Sequence, residues 1–348
     1  MKLNIASNEV IHFIGIGGIG MSGLAQIMKN MGFKVQGSDS SQSKNTERLS
    51  RFKIKVYEKH TIKNLKKATM VVISSAIKKN NEELKAAKRK KLPIFKRGEM
   101  LANVVALKKN IVVTGSHGKT TTTSIVANIL VEAGLDPTVI NGGVINSLKN
   151  TAQLGKGEWA VIEADESDGS FLKLPVTYSV VTNIDKEHLD YYKNFEALKK
   201  SFCTFIEKTP SFGQSLVCID NKNIKFLLKK CKTNNFLTYG FHKQSNYQII
   251  NVRKKINLSI FDLIVKISRY KVYKIKNIKV NLLGNHNITN TTAAVAIALN
   301  LGVNINKIKK ALTKFLGIQR RFTKVFSTKK RDFYDDYAHH PTEIEAVI

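Results

Sequence analysis

Twice within its first 124 residues the chain runs from a short apolar stretch into a glycine loop and then into a segment of helical periodicity. The first unit is Val10-Ile11-His12-Phe13-Ile14, then Gly15-Ile16-Gly17-Gly18-Ile19-Gly20, then Met21 to Met31 with Gly32 in the position of a helix C′ residue. The second is residues 111–124, Ile-Val-Val-Thr-Gly-Ser-His-Gly-Lys-Thr-Thr-Thr-Thr-Ser. Strand, loop and helix in this order predict parallel sheets with helices on their faces and ligands gathered beyond the carboxyl ends of the strands. Loop amides, a helix N-terminus and a lysine would converge on a phosphate, with a hydroxyl left to reach Mg²⁺. The second loop is a shortened form, Gly115-x-x-Gly118-Lys119-Thr120, with Val113 where the longer pattern has glycine. An ordinary strand-to-helix turn would share that spacing, so the loop needs support from the rest of the chain.

At 348 residues the chain is expected to hold two or three domains, and 43% hydrophobic with 24% charged residues fits a globular enzyme. No apolar run is long enough to span a bilayer and the first twenty residues lack a signal-peptide pattern, which points to a cytoplasmic protein. Cys203, Cys218 and Cys231 are irregularly spaced, and the expectation is buried or idle thiols without disulfide or structural metal. The net charge of +31 comes from lysines scattered along the whole chain. It reads as a solvated basic surface, with neither nucleic acid nor membrane as partner.

Beyond the first glycine loop, Lys34 to Asp39 forms a second strand ending in an acid at dinucleotide-fold spacing. Met70 to Ala76 gives a third strand, Glu82 to Lys91 a lysine-rich helix, and the first domain closes at 107. Two further strands, Trp159 to Ile162 and Tyr178 to Thr182, run into Glu163-Ala164-Asp165-Glu166-Ser167-Asp168 and Asn183-Ile184-Asp185-Lys186-Glu187-His188. Both polar clusters should face the second loop, with Glu163 the better candidate ligand and Glu166 and Asp168 compatible with a surface turn. Residues 241–282 alternate as strands exposed on one face. Gly284-Asn285-His286-Asn287-Ile288-Thr289-Asn290 then leads into an alanine-rich helix ended by Gly302.

Two phosphate loops in one chain assign the first to a substrate diphosphate and the second to ATP. Lys119 would bridge the β- and γ-phosphates and Thr120 would serve Mg²⁺, because phosphoryl transfer needs charge neutralisation and positioning above all.

Seven motifs in order carry a resemblance. They are His12-Phe13-Ile14-Gly15-Ile16-Gly17-Gly18-Ile19-Gly20-Met21-Ser22-Gly23, Thr114-Gly115-Ser116-His117-Gly118-Lys119-Thr120-Thr121-Thr122, Glu163 to Phe171, Asn183 to Asp190, Gly284-Asn285-His286-Asn287, Arg320-Arg321-Phe322 and Asp335-Asp336-Tyr337-Ala338-His339-His340-Pro341. The chain resembles the Mur ligase family, ATP-dependent amino-acid ligases of peptidoglycan synthesis. The resemblance implies an α/β protein in three parts: a Rossmann-like UDP-binding domain (1–107), a central P-loop ATPase-like domain (108–317) and the start of a third α/β domain (318–348). It implies that ATP phosphorylates the lactyl carboxylate of UDP-N-acetylmuramate and that L-alanine attacks the acyl phosphate.

The implied catalytic residues are Lys119, Glu163, His188, Arg321, Asp336 and His340, with Tyr337 beside them in the cleft. Thr120, Glu163 and His188 would hold Mg²⁺. Gly115, Ser116, His117, Gly118, Lys119, Thr120, Thr121, His286, Asn287, Asn290 and Arg321 would bind ATP. Gly15, Gly17, Gly18, Gly20, Met21, Ser22, Ser38, Asp39, Ser74 and Ser75 would bind the UDP substrate. A monomer or homodimer is expected.

Two departures qualify the resemblance. Only the first strand and turn of the third domain are expected in these 348 residues, which reads as part of a longer frame, inactive alone. Ser201-Phe202-Cys203-Thr204 stands where several relatives carry a carbamylated lysine, so no carbamate is predicted. Rival readings are a ligase that attaches a recovered tripeptide and a non-catalytic protein that binds a UDP-sugar or nucleic acid. The first is disfavoured by Ser167-Asp168-Gly169-Ser170-Phe171, where its relatives usually carry tyrosine after the acidic string.

Overall fold

The computed structural model of the chain describes residues 9–146, 150–267, 271–328, 331–338 and 340–347, so His339 of the last motif lies outside the described residues. The first unit is a five-stranded parallel sheet of β1 (Val10–Ile14), β2 (Lys34–Ser38), β3 (Lys55–Tyr57), β4 (Met70–Ile73) and β5 (Ile94–Lys96), in the order β3-β2-β1-β4-β5. Its helices are α1 (Ile19–Asn30), α2 (Lys44–Arg51), α3 (Glu82–Arg89) and α4 (Arg97–Val105). The run Val-Ile-His-Phe-Ile is central and buried on both faces, apolar but for His12, as befits a strand covered by helices on each side. Helix α1 stops where Gly32 takes φ +104°, a left-handed conformation that a side chain would disfavour.

The glycine loop after β1 lies flat on β2 because Gly37 leaves room for it. A Cβ there would come within 2.6 Å of both Ile16 Cδ1 and the Phe13 carbonyl. Beneath this loop sits a buried polar cluster. His12 and Glu83 are fully buried with Nε2 and Oε2 3.3 Å apart, Asn64 Nδ2 donates to Glu83 Oε1 at 2.7 Å, and Ser38 Oγ donates to Glu83 Oε2. Burial opposes ionisation of Glu83, yet His12, Ser38 and Asn64 hold its carboxyl below the usual range.

The second unit is a ten-stranded sheet. Its strands are β6 (Lys109–Thr114), β7 (Thr138–Ile145), β8 (Asn150–Gln153), β9 (Trp159–Glu163), β10 (Tyr178–Val181), β11 (Gln214–Cys218), β12 (Phe236–Gly240), β13 (Tyr247–Lys255), β14 (Leu258–Lys266) and β15 (Val272–Val280). The order is β15-β14-β13-β12-β11-β10-β6-β9-β7-β8, parallel from β7 to β13 and antiparallel at both edges. The edge wing β13 to β15 falls in the segment that alternates in sequence; the lysines of β15 face solvent and Ile275, Ile278 and Val280 are buried, while Asp262 on β14 is buried and paired with Lys274 at 3.2 Å. Helices α5 (Lys119–Glu132), α6 (Leu189–Tyr192), α7 (Phe195–Glu207), α8 (Lys222–Leu228), α9 (Asn285–Asn300) and α10 (Ile305–Lys314) complete the unit. Last come a hairpin of β16 (Thr323–Ser327) and β17 (Asp332–Asp335) and the short helix α11 (Pro341–Val347).

The first two units are packed together. Arg48 donates to Thr151 Oγ1 at 3.1 Å and Gln26 to the Ala152 carbonyl at 3.4 Å, so α1 and α2 lean on β8. Gly98 sits so close to Ser170 that a Cβ would meet its Cβ at 2.6 Å. Among the described residues no helix is long and apolar enough to cross a membrane.

One expectation is overturned. Cys203 on α7 and Cys231 just past α8 are joined by a disulfide, with Cα atoms 5.6 Å apart. Only Cys218 keeps the expected character, a free and buried thiol pushed up to about 12 by burial.

The buried cluster under the first loop supports a stability prediction. Replacing Glu83 by alanine removes the buried carboxylate that His12, Ser38 and Asn64 share, so E83A should lower unfolding stability by about 3 kcal/mol. Urea denaturation followed by circular dichroism measures this, and E83Q should recover part of the loss.

Candidate active site

Strand β6 is buried at the middle of the sheet, and the loop that follows it is shaped by its neighbour β10. Gly115 has φ +128°, and a Cβ there would lie 2.2 Å from Thr182 Oγ1. Ser116 N donates to the Asn183 carbonyl at 3.2 Å and His117 N to Asn183 Oδ1 at 2.8 Å, while Thr182 Oγ1 donates to the His117 carbonyl at 2.6 Å. The amides of Ser116 and His117 are thus engaged by the next strand. The amides left facing an anion are those of the α5 N-terminus, which opens at Gly118 with φ +80°.

Lys119 folds back over this turn. Its Nζ donates to the Gly115 carbonyl at 2.7 Å and to Ser116 O and Glu166 Oε1 at 3.1 Å each. Burial would lower the lysine pKa, but Glu166 and then Glu163 outweigh it and the ammonium is held charged above its ordinary value. Glu166, compatible in sequence with a surface turn, is instead fully buried. The hydroxyl of Tyr192 donates to its carbonyl, and His188 Nε2 lies 3.6 Å from its Oε1. The neighbouring Glu166 carboxylate raises the pKa of His188, which is held at φ +55° just ahead of α6.

Thr120 Oγ1 donates to Glu163 Oε1 at 3.0 Å and Gly142 N to Glu163 Oε2 at 2.6 Å. Burial pushes the Glu163 carboxyl up despite the opposing charges of Lys119 and Arg321. A hydroxyl and a carboxylate set together at the foot of a phosphate loop are hard oxygen donors of the kind that fit Mg²⁺. His188 stands across the cleft with Glu166 and Glu187, three groups whose ligand atoms lie within 4.8 Å of one another.

Both glycine loops open onto one cleft of about 860 Å³. From the first unit it takes Gly18, Gly20, Met21, Ser74 and Ser75, and from the second Ser116, Gly118, Lys119, Thr120, Glu163 and His188. Arg321, Tyr337 and His340 close it from the third segment. The rest of the expected set stands behind this lining. The amides of Gly15 and Ile16 donate to the Ser38 carbonyl at 2.9 and 3.0 Å, and Gly17 N to Asp39 Oδ2 at 2.8 Å, so Ser38 and Asp39 hold the loop from behind. Ser22 and Thr121 are buried in the first turns of α1 and α5.

At the α9 N-terminus, Asn290 packs on the phosphate loop, 2.6 Å from where a Gly118 Cβ would stand. Asn287 donates to the Leu283 carbonyl at 2.7 Å, and burial lowers the His286 pKa. These three do not line the cleft. Asp336 accepts from Phe322 N at 2.6 Å and Ala338 N at 2.7 Å, which secures the turn that carries Arg320 and Arg321 over the Tyr337 ring.

Asp165 and Lys186, which stand in the seven motifs without an assigned role, and Arg97 and Glu343, which stand in none of them, also line the cleft. Glu343 belongs to a latch between the third segment and the phosphate loop. His117 Nδ1 is 3.1 Å from Glu343 Oε1, His117 Nε2 is 2.8 Å from Asp185 Oδ2, and the His340 ring lies 5.1 Å from the His117 ring.

Residues 113–298 match the Mur ligase middle domain and residues 10–109 the catalytic domain of the Mur ligase family. Over all 348 residues the chain is 59% identical to a UDP-N-acetylmuramate–L-alanine ligase of Pelagibacter ubique (strain HTCC1062), of which it covers 75%. The chain belongs to the Mur ligase family. Among solved Mur ligases it is similar to the UDP-N-acetylmuramate-alanine ligase of Thermotoga maritima, with a TM-score of 0.85 and 28% identity, covering 97% of this chain and 76% of that one. It is also similar to the UDP-N-acetylmuramate:L-alanyl-gamma-D-glutamyl-meso-diaminopimelate ligase of Neisseria meningitides, with a TM-score of 0.80 and 29% identity, covering 90% of this chain and 99% of that one.

The latch yields a pH prediction for this Mur ligase. Burial opposes charge on His117, yet Asp185, Glu343 and Glu187 raise its pKa from 6.5 to about 9. A raised folded pKa means that the contribution of these ion pairs is complete below pH 6.5 and is lost as pH rises through about 9. Imidazole NMR should show His117 titrating near pH 9, and E343Q should move that midpoint down while leaving the fold intact.

Proposed function

We propose that the chain catalyses ATP-dependent ligation of L-alanine to the lactyl carboxylate of UDP-N-acetylmuramate through an acyl phosphate. The single observation that carries this reading is that two phosphate-type loops, on two different sheets, open onto the same cleft. A hydride-transfer enzyme would leave the second loop idle and a simple nucleoside triphosphatase the first. The high identity to the Pelagibacter alanine ligase favours L-alanine as the amine over the tripeptide taken by the Neisseria enzyme.

In this reading the first loop and Ser74–Ser75 take the UDP diphosphate, and Gly118, Lys119 and the α5 N-terminus take the ATP phosphates. A lactyl carboxylate oxygen attacks the γ-phosphorus while the bond from that phosphorus to the β,γ-bridging oxygen breaks, and ADP leaves. The amine of L-alanine then adds to the acyl carbon, a proton is lost, and phosphate departs from the tetrahedral centre. Lys119 and Arg321 compensate charge that builds on the transferring phosphoryl group, where fixed positive groups act most strongly. Mg²⁺, held by Thr120 and Glu163 with His188 opposite, would supply further neutralisation. Asp336 positions the arginine turn, while Tyr337 and His340 seat the third segment at the mouth.

His286, Asn287 and Asn290 are proposed for the adenine side, reached once ATP is seated against α9. The domain division 1–107, 108–317 and 318–348 is proposed likewise, with the two sheets and the terminal hairpin in its support. Its use of two nucleotide substrates supports the reading of a cytoplasmic protein.

Lys119→Ala should abolish phosphate release driven jointly by UDP-N-acetylmuramate and L-alanine, a loss on the order of 10³-fold or more. Calorimetric binding of UDP-N-acetylmuramate should be unchanged. Both are measured on protein expressed from its full reading frame, and equal loss of the two would contradict separate loops for separate ligands.

A further inference from the structure

A second surface hollow lies away from the ligase cleft, between α7 and α8, and contains about 480 Å³. Cys203 lines it, with Lys199, Lys200, Lys230 and Lys232 against only Glu196 and Glu207. The ring of Phe226, half exposed, forms an apolar wall over which Lys199 and Lys230 lie at 5.5 and 4.6 Å from the ring centre. Cys231 does not line the hollow. Both cysteines are half-buried, in contrast with Cys218, which is buried and held protonated.

We propose that Cys203 and Cys231 are a redox-active pair, and that the lysine-lined hollow admits an anionic low-molecular-weight disulfide to the Cys203 sulfur. Three features converge. The Cα separation of 5.6 Å lies in the range that a disulfide bridges without backbone movement. A surplus of lysines around the hollow that Cys203 lines favours its thiolate, the form that attacks disulfides. Of the pair, Cys203 lines the hollow and Cys231 does not, the arrangement of an attacking and a resolving thiol.

The chemistry balances within the pair and its oxidant. The Cys203 thiolate attacks one sulfur of RS–SR, forming the mixed disulfide Cys203–S–S–R and releasing RS⁻. The Cys231 thiolate then attacks the Cys203 sulfur, closing the protein disulfide and expelling the second RS⁻. Two protein thiols are oxidised, one external disulfide is reduced to two thiols, and the two protons pass to the departing thiolates. Glu207 Oε1, 3.4 Å from Cys203 Sγ and held by Lys232 N at 2.7 Å, is placed to accept the Cys203 proton. The joined form links the end of α7 to the segment after α8.

The test uses the fully reduced chain with oxidised glutathione as the anionic probe and hydroxyethyl disulfide as the neutral one, read by peptide mass mapping. The expected result is a Cys203–Cys231 crosslink that forms about tenfold faster with the anionic probe, the worth of two exposed ion pairs, with the preference shrinking at high salt. Cys231→Ser should trap glutathione on Cys203, and Cys203→Ser should trap none. Lys200→Ala combined with Lys232→Ala should bring the two rates together. Equal rates in the unaltered chain, an adduct on Cys218, or reduced protein that binds Zn²⁺ through Cys203, Glu207 and Cys231 and does not crosslink would each overturn the proposal.

Discussion

A buried ammonium has to be compensated, and in this chain the compensation of Lys119 organises the site around it. With its side chain only 17% exposed, Lys119 is surrounded by two loop carbonyls and by both oxygens of Glu166. Glu166 is in turn fixed by burial, by the Tyr192 hydroxyl on its carbonyl and by His188 at its carboxylate. The strand ends of β9 and β10 are therefore tied to the phosphate loop electrostatically, and Glu163 and His188 reach the cleft as a consequence. An arriving triphosphate would compete with Glu166 for the same charge, which places the lysine under tension between a resting partner and a reacting one.

The second constraint is steric and falls on backbone. Gly37 lets the first loop lie on β2, and Gly115 lets the second pass Thr182, each at distances that a Cβ could not tolerate. Both loops end in helices that start at the sheet's carboxyl edge, so both present helix N-termini to the same cleft. Packing of α1 and α2 against β8 then holds the two edges face to face. The third segment reaches this cleft through Arg321 and through the latch of His117 with Glu343.

Much of this was legible in the sequence because it depends on local pattern. The apolar runs of β1 and β6, the glycines after them and the helix stop at Gly32 declare themselves within a few residues. Three-residue strands such as Lys55–Tyr57 and Ile94–Lys96 do not, being too short to show a period and held only as sheet edges. Acids were the hardest to place. Asp39 has the spacing of a nucleoside contact, and its hydrogen bond from the Gly17 amide does not show in that spacing, while Glu166 looks like a surface turn but is buried under Lys119. Cys203 and Cys231, 28 residues apart, meet only because α7 and α8 pack side by side, which spacing alone cannot reveal.

The central proposal is that the Lys119 loop activates a carboxylate and does not merely hydrolyse ATP. The direct measurement is oxygen transfer: UDP-N-acetylmuramate carrying ¹⁸O in its lactyl carboxylate is turned over with ATP and L-alanine, and the released phosphate is analysed by mass spectrometry. An acyl phosphate intermediate predicts one ¹⁸O from the carboxylate in each phosphate, because the C–O bond to that oxygen breaks when the amine displaces it. Phosphate released without label, at the rate at which the amide forms, would contradict the account.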